Sequence, residues 1–145
     1  MAKHIYILNG PNLNRLGKRE PEIYGKTTLD EIELACRAAA GAFEIAFRQS
    51  NAEGQLVDWI HEAIDADAAG LVINPAGLSF TSVPIMDALK MFEGPIFELH
   101  ISNIHRRESV YRNSLMSAVV TAVIAGLGPD GYRTAVEAMV RRLTP

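Results

Sequence analysis

Pro95-Ile96-Phe97-Glu98-Leu99-His100-Ile101-Ser102-Asn103 begins as an apolar run and ends among ionisable and hydrogen-bonding residues. It reads as a buried strand, 95–101, whose C-terminal end delivers Glu98, His100, Ser102 and Asn103 to one edge of a sheet. Open α/β sheets bind ligands at that edge. The reading then turns on what the other strands bring there.

Four more runs read as strands. Residues 4–8 are apolar and stop at Asn9-Gly10-Pro11-Asn12, a turn signal. Residues 42–48 run into Gln49-Ser50-Asn51, and residues 70–73 into Asn74-Pro75-Ala76-Gly77. Residues 119–124 are β-branched and stop at Gly126-Leu127-Gly128. Helical segments lie between them. Thr28-Leu29-Asp30-Glu31 is a capping box, and Ile32, Ala35, Cys36, Ala39 and Phe43 follow at helical spacing, predicting a helix to about Gly41. Residues 53–66 put Leu56, Ile60, Ala63 and Ile64 on one face. Ser82 caps a helix with Pro84 in its first turn, running to about Phe92. Pro129 opens a last helix with Tyr132, Val136, Met139, Val140 and Leu143 turned inward. Residues 13–27 lack a period and read as a mobile loop after one short helical turn; residues 103–117 read as a polar connection.

Strands and helices alternating in this way predict a parallel sheet covered on both faces. With five strands and right-handed crossovers the expected order is 2-1-3-4-5, a flavodoxin-like three-layer α/β sandwich. The 145 residues suit one domain with a full-sized core. Hydrophobic content of 48% and charged content of 21% are those of a soluble globular chain. A net charge of −3 without a basic stripe argues against nucleic acid as a partner. The single cysteine, Cys36, excludes an internal disulfide, and no Cys/His set has metal-site spacing, so no metal is expected. No apolar run approaches a membrane span, and the first residues lack a signal-peptide core, so the expected location is the cytoplasm, with no membrane partner.

In this strand order the first, third and fourth strands are neighbours. Their ends bring Asn9 and Asn12, then Asn74, then Glu98, His100 and Ser102 around one crevice. Neutral donors, one imidazole and one carboxylate suit a small hydroxylated or carboxylated ligand. A phosphoacceptor module would need acidic residues where these asparagines stand. A flavin or nucleotide site would need a phosphate-cradling loop after the first strand, but that loop has Pro11 and no Gly-x-Gly.

Asn9-Gly10-Pro11-Asn12-Leu13-Asn14-Arg15-Leu16-Gly17, Arg19-Glu20-Pro21 and Tyr24-Gly25 resemble the opening of type II 3-dehydroquinate dehydratases (type II dehydroquinases). So do Arg48-Gln49-Ser50-Asn51 with Glu53-Gly54, Asn74-Pro75 with Thr81-Ser82, Glu98 through Asn103, Gly126-Leu127-Gly128 and Gly131-Tyr132. The resemblance spans almost the whole chain. It implies cofactor-free dehydration of 3-dehydroquinate to 3-dehydroshikimate and a homo-oligomer, a dodecamer built from trimers. It implies Tyr24 as the base at C2, Arg19 on a lid loop as the group that lowers the pKa of Tyr24, and His100, oriented by Glu98, as the acid for the departing C1 hydroxyl. Asn12 would hold the water or hydroxyl that stabilises the enolate. Asn74, the backbone at Ile101 and Ser102, and the Ser102 hydroxyl would hold the carboxylate. Asp87 would reach a neighbouring subunit's site.

The residue types agree with that chemistry. A proton leaving carbon beside a ketone builds charge on the carbonyl oxygen, which neutral donors can meet. A tyrosine acts as a base near neutral pH only with a cation beside it, and Arg15 and Arg19 lie on the same short loop. An imidazole is suited to protonate a departing hydroxyl.

Two positions depart from the family pattern: Phe80 stands where the family usually has His, and Tyr111 where it usually has Arg. Both family residues contact ring hydroxyls of the substrate. Arg112, one place along, is the nearest residue that could compensate. Two expectations follow. Either the chain is a dehydratase of 3-dehydroquinate, or it acts on, or merely binds, a similar cyclic hydroxy-ketone carboxylate. Taken singly, several of these residues have plainer readings. Phe80 and Tyr111 could be packing residues at a subunit contact, Arg106-Arg107-Glu108 a solvated helix start, and His61 and His105 structural.

Overall fold

A computed structural model describes residues 2–18 and 20–145, and for residues 23 and 24 the backbone alone. The strands are β1 (His4–Asn9), β2 (Glu44–Gln49), β3 (Gly70–Asn74), β4 (Ile96–His100) and β5 (Ala122–Ala125). The helices are α1 (Pro21–Tyr24), α2 (Leu29–Ala39), α3 (Glu53–Asp65), α4 (Val83–Lys90) and α5 (Asp130–Leu143). All strand pairs are parallel, and the sheet order is β2-β1-β3-β4-β5, as expected from the alternation.

Successive strand residues face opposite layers, and each face has its own core. Ile5 and Ile7 of β1, Val72 of β3, and Phe97 and Leu99 of β4 pack with α2 and α5 through Ile32, Cys36, Tyr132, Val136 and Met139. Tyr6 and Leu8, Leu71 and Ile73, and Ile96 pack with α3 and α4 through Leu56, Ile60, Ile85 and Leu89. The capping box at Thr28 forms in both directions with Glu31. Ser82 caps α4 through the Ile85 N–H at 3.1 Å.

Several boundaries differ from expectation. The second helix stops at Ala39 rather than near Gly41, and β2 starts at Glu44 rather than residue 42. Gly41 turns the chain at φ 60°, and the Phe43 N–H closes that turn on the Ala40 carbonyl. The fourth helix ends at Lys90. The last strand starts at Ala122 because Val119 closes a 3-10 turn on Met116, while Val119 and Val120 pack against the α3/α4 core instead. A short helix, α1, sits where only loop was expected.

Residues 103–117, between β4 and β5, read from the sequence as a polar connection. The structure has three 3-10 turns there, Ile104–Arg106, Ser109–Tyr111 and Met116–Ala118. Of the residues in these turns only Ile104 and Met116 are buried, too few to anchor an amphipathic helix.

Candidate active site

The C-terminal ends of β1, β3 and β4 enclose a cleft of about 210 Å³. It is lined by the loop after β1 (Pro11, Asn12, Leu13, Leu16) and the turn after β3 (Asn74, Ala76, Gly77, Phe80). The end of β4 and its connection add His100, Ile101, Ser102, Ile104, Arg107 and Tyr111.

Glu98 and His100 are two apart on β4, so they share the α3/α4 face of the strand. Glu98 is fully buried and His100 is 5% exposed. The carboxylate can only accept, so His100 Nε2–H donates to Glu98 Oε2, leaving Nδ1 as the nitrogen that can exchange a proton. Ser117 Oγ donates to Glu98 Oε1 at 2.7 Å. Burial pushes the Glu98 carboxyl up. Hydrogen bonds from His100 and Ser117, the imidazole charge and a further hydrogen bond from Ser114 outweigh it, and the group sits below its ordinary range. The dyad is thus an imidazole held by an ionised, fully satisfied carboxylate.

Asn9 and Asn74 pair in register across β1 and β3, on the face toward α5. Tyr132 of α5 bridges them: its hydroxyl donates to Asn9 Oδ1 at 2.7 Å and accepts from Asn74 Nδ2 at 2.8 Å. Asn74 Oδ1 accepts the Ala76 N–H at 3.2 Å. The amide that faces the cleft is therefore fixed in orientation from below. Gly10 is required beside it, because a Cβ there would lie 2.4 Å from the Pro75 carbonyl oxygen.

Asn12 occupies the left-handed region at φ 72°. Its N–H donates to Asn51 Oδ1 at 2.9 Å, and Gln49 Nε2 reaches both the Gly10 carbonyl and Asn51 Oδ1. The loop after β2 thus clasps the loop after β1.

The cleft gathers Asn12, Asn74, His100, Ile101 and Ser102, with Glu98 directly behind His100. Arg19 and the Tyr24 side chain lie outside the described residues. Asp87 is exposed on α4, 3.6 Å from Lys90, and does not line this cleft. Arg112 is not in the lining either. It caps the 3-10 turn Ser109–Tyr111, and its Nε–H donates to the Arg107 carbonyl, so it cannot take the place of Tyr111 in this chain's own cleft. Arg107, read from sequence as part of a solvated helix start, does line it. Ser117, Tyr132 and Asn51 were also without a role in the sequence reading. Only Tyr132 and Asn51 carried any signal there, as members of recurring motifs.

Residues 3–140 match the family model for class II dehydroquinases. A protein of Bartonella henselae named 3-dehydroquinate dehydratase is 58% identical, the match covering 98% of this chain and 97% of that one. Its counterpart in Chelativorans sp. is 51% identical, covering 99% of this chain and all of its own. Among solved structures, a type II dehydroquinase from Propionibacterium acnes superposes with a TM-score of 0.92 at 43% identity, covering 97% of this chain and 98% of that one.

Proposed function

The chain belongs to the class II dehydroquinase family, and from that membership we propose that it dehydrates 3-dehydroquinate to 3-dehydroshikimate. The observation that carries the reading is the buried Glu98–His100 dyad opening onto a cleft floored by the Asn74 amide. Full-length relatives at 51% and 58% identity named as this dehydratase favour it over a shifted substrate or a mere binder.

In the reaction, the Tyr24 phenolate, favoured by the Arg19 guanidinium, takes a proton from C2. The electron pair moves onto the C3 carbonyl oxygen as an enolate. A water or hydroxyl held by Asn12 donates to that oxygen, an interaction worth about 3 kcal/mol by analogy with an oxyanion hole. The enolate then collapses, C1=C2 forms, and the C1 hydroxyl leaves as water with a proton from His100. Glu98 stabilises the imidazolium before transfer and keeps the ring aligned. Asn74, the backbone at Ile101 and Ser102, and the Ser102 hydroxyl hold the carboxylate, and the Tyr24 and His100 side chains carry every proton the elimination moves.

Cytoplasmic location and assembly as a dodecamer of trimers belong to the same proposal. Val83 and Met91, about half exposed on and just after α4, flank Asp87 and would be covered by a neighbouring subunit, with Asp87 reaching that subunit's site. Light scattering tests the assembly: the mass of a single chain would remove it. The activity is tested by following enone absorbance after adding 3-dehydroquinate. Wild type gains absorbance, and Tyr24→Phe and His100→Asn each fall by roughly a hundredfold or more. No gain with wild type would overturn the reading.

A further inference from the structure

The cleft has more hydrogen-bonding capacity than the carboxylate grip and the elimination use. With Asn12, Asn74, His100 and Ser102 occupied by those tasks, two lining side chains among the described residues can still donate: Arg107 and Tyr111. The substrate of the proposed reaction still presents its ring hydroxyls at C4 and C5. A buried hydroxyl without a partner weakens binding, so some lining group has to meet them.

Arg107 is built for this. Its guanidinium carbon lies 4.2 Å from the centroid of the Tyr111 ring. A cation at that distance from an aromatic face is held electrostatically, and a guanidinium held this way keeps its N–H donors free. Tyr111 is braced in turn: Phe80 meets it edge to face at 5.6 Å, and Phe80 lies nearly parallel to the His100 ring at 6.5 Å. The Arg107 backbone is fastened too, its N–H on the Ile104 carbonyl and its own carbonyl accepting from Arg112. A stack thus runs from the proton donor through two aromatic rings to a cation in the same cleft. Phe80 offers no hydrogen bond; its contribution is to set the distance between His100 and the cation at the other end.

We infer that Arg107, seated on the Tyr111 ring, is the specificity-determining residue that recognises the ring hydroxyls of the substrate, with Tyr111 as its positioning residue. The inference rests on the dehydratase reading and deepens it.

The test pairs variants with substrate analogues. Wild type, Arg107→Ala, Arg107→Lys, Tyr111→Phe and Tyr111→Ala are compared on 3-dehydroquinate and on its 4-deoxy and 5-deoxy analogues. Circular dichroism confirms that each variant is folded. Arg107→Ala raises KM roughly ten- to hundredfold and changes kcat less, because the contact exists before the transition state as well as in it. Wild type discriminates against at least one deoxy analogue, and Arg107→Ala loses that discrimination. Arg107→Lys restores it only in part, lacking the planar fork. Tyr111→Phe keeps the ring and the discrimination; Tyr111→Ala loses both. The inference is overturned if Arg107→Ala discriminates as well as wild type. It is overturned equally if Tyr111→Ala keeps the discrimination. A wild type inactive on 3-dehydroquinate itself would remove the dehydratase reading, and the inference with it. Active wild type with unaltered variants removes the inference alone.

Discussion

Replacing Tyr132 by Phe removes one oxygen from the buried junction of α5 with the ends of β1 and β3. The ring stays, so its packing against Phe47 and the rest of that core is unchanged and no cavity opens. Two hydrogen bonds go. Asn9 is fully buried, and among the described residues its Oδ1 accepts only from the Tyr132 hydroxyl. It is left unsatisfied, which costs about 1–3 kcal/mol. Asn74 Nδ2 loses a partner as well, at a contact that is itself buried, though Asn74 Oδ1 keeps the Ala76 N–H. The expected destabilisation is about 2 kcal/mol, a melting temperature lower by roughly 4–8 °C for a chain of this length. Catalysis should respond through the same amide. A loosened Asn74 grips the carboxylate less well in ground state and transition state alike, so KM rises severalfold while kcat changes less. Thermal unfolding at fixed protein concentration, with steady-state kinetics on 3-dehydroquinate, reads both effects. A variant as stable as wild type refutes the hydrogen-bond accounting. A less stable variant with wild-type KM refutes the link from Tyr132 to Asn74.

Three further outcomes follow from the same geometry. Ser117→Ala removes one donor from Glu98, so the carboxyl rises toward its ordinary range. Because a depressed carboxyl loses its contribution as pH falls through its folded value, the acid limb of the kcat/KM profile moves to higher pH, and an unmoved limb refutes the role. Asn51→Ala frees the N–H of Asn12, which is held at φ 72°, and should lower kcat severalfold with little change in melting temperature, since Asn51 is exposed; equal kcat refutes the clasp. Cys36 is fully buried, and burial with the nearby Glu33 carboxylate, partly opposed by Arg37, pushes its thiol up to about 12. The unfolded chain releases that proton first, so its contribution is full below pH 9.0 and is lost progressively as pH rises toward about 12. Cys36→Ala should flatten the fall in urea midpoint between about pH 9 and pH 10.5, where the slope reaches about 1.4 kcal/mol per pH unit; an unchanged slope refutes the assignment.

The strand order and the residues at the strand ends were legible because they are local features. An apolar run that stops at Asn74-Pro75, or that changes into Glu98, His100 and Ser102, announces both a strand and its functional end. What was not legible depends on contacts across the fold. Ser117 lies 19 positions beyond the carboxylate it steadies, on a connection without a period. Tyr132 looked like one more inward residue of α5, because periodicity reports that a side chain is buried and not whether its hydroxyl has a partner. Arg112 stands out in the sequence because it follows Tyr111 directly, whereas Arg107 reads as part of a solvated helix start. In the 3-10 turns that formed, the residue four before Tyr111 stacks on its ring and the residue after it turns back to a carbonyl.

The period of two along the strands explains why the site needs both layers. Asn9 and Asn74 continue the face of Ile7 and Val72, toward α5, whereas Glu98 and His100 continue the face of Ile96, toward α4. The carboxylate grip is therefore braced by a tyrosine from one layer and the proton donor by serines and an aromatic stack from the other. A single substitution in either brace should disturb one function and spare the other. Tyr132→Phe acts on binding, and Ser117→Ala acts on the ionisation of the Glu98 carboxyl behind the proton donor. Because Tyr132 and Ser117 share no hydrogen-bond partner among the described residues, the double variant should show the two effects summed within about 0.5 kcal/mol. A larger departure would mean that the two layers are coupled through the sheet edge.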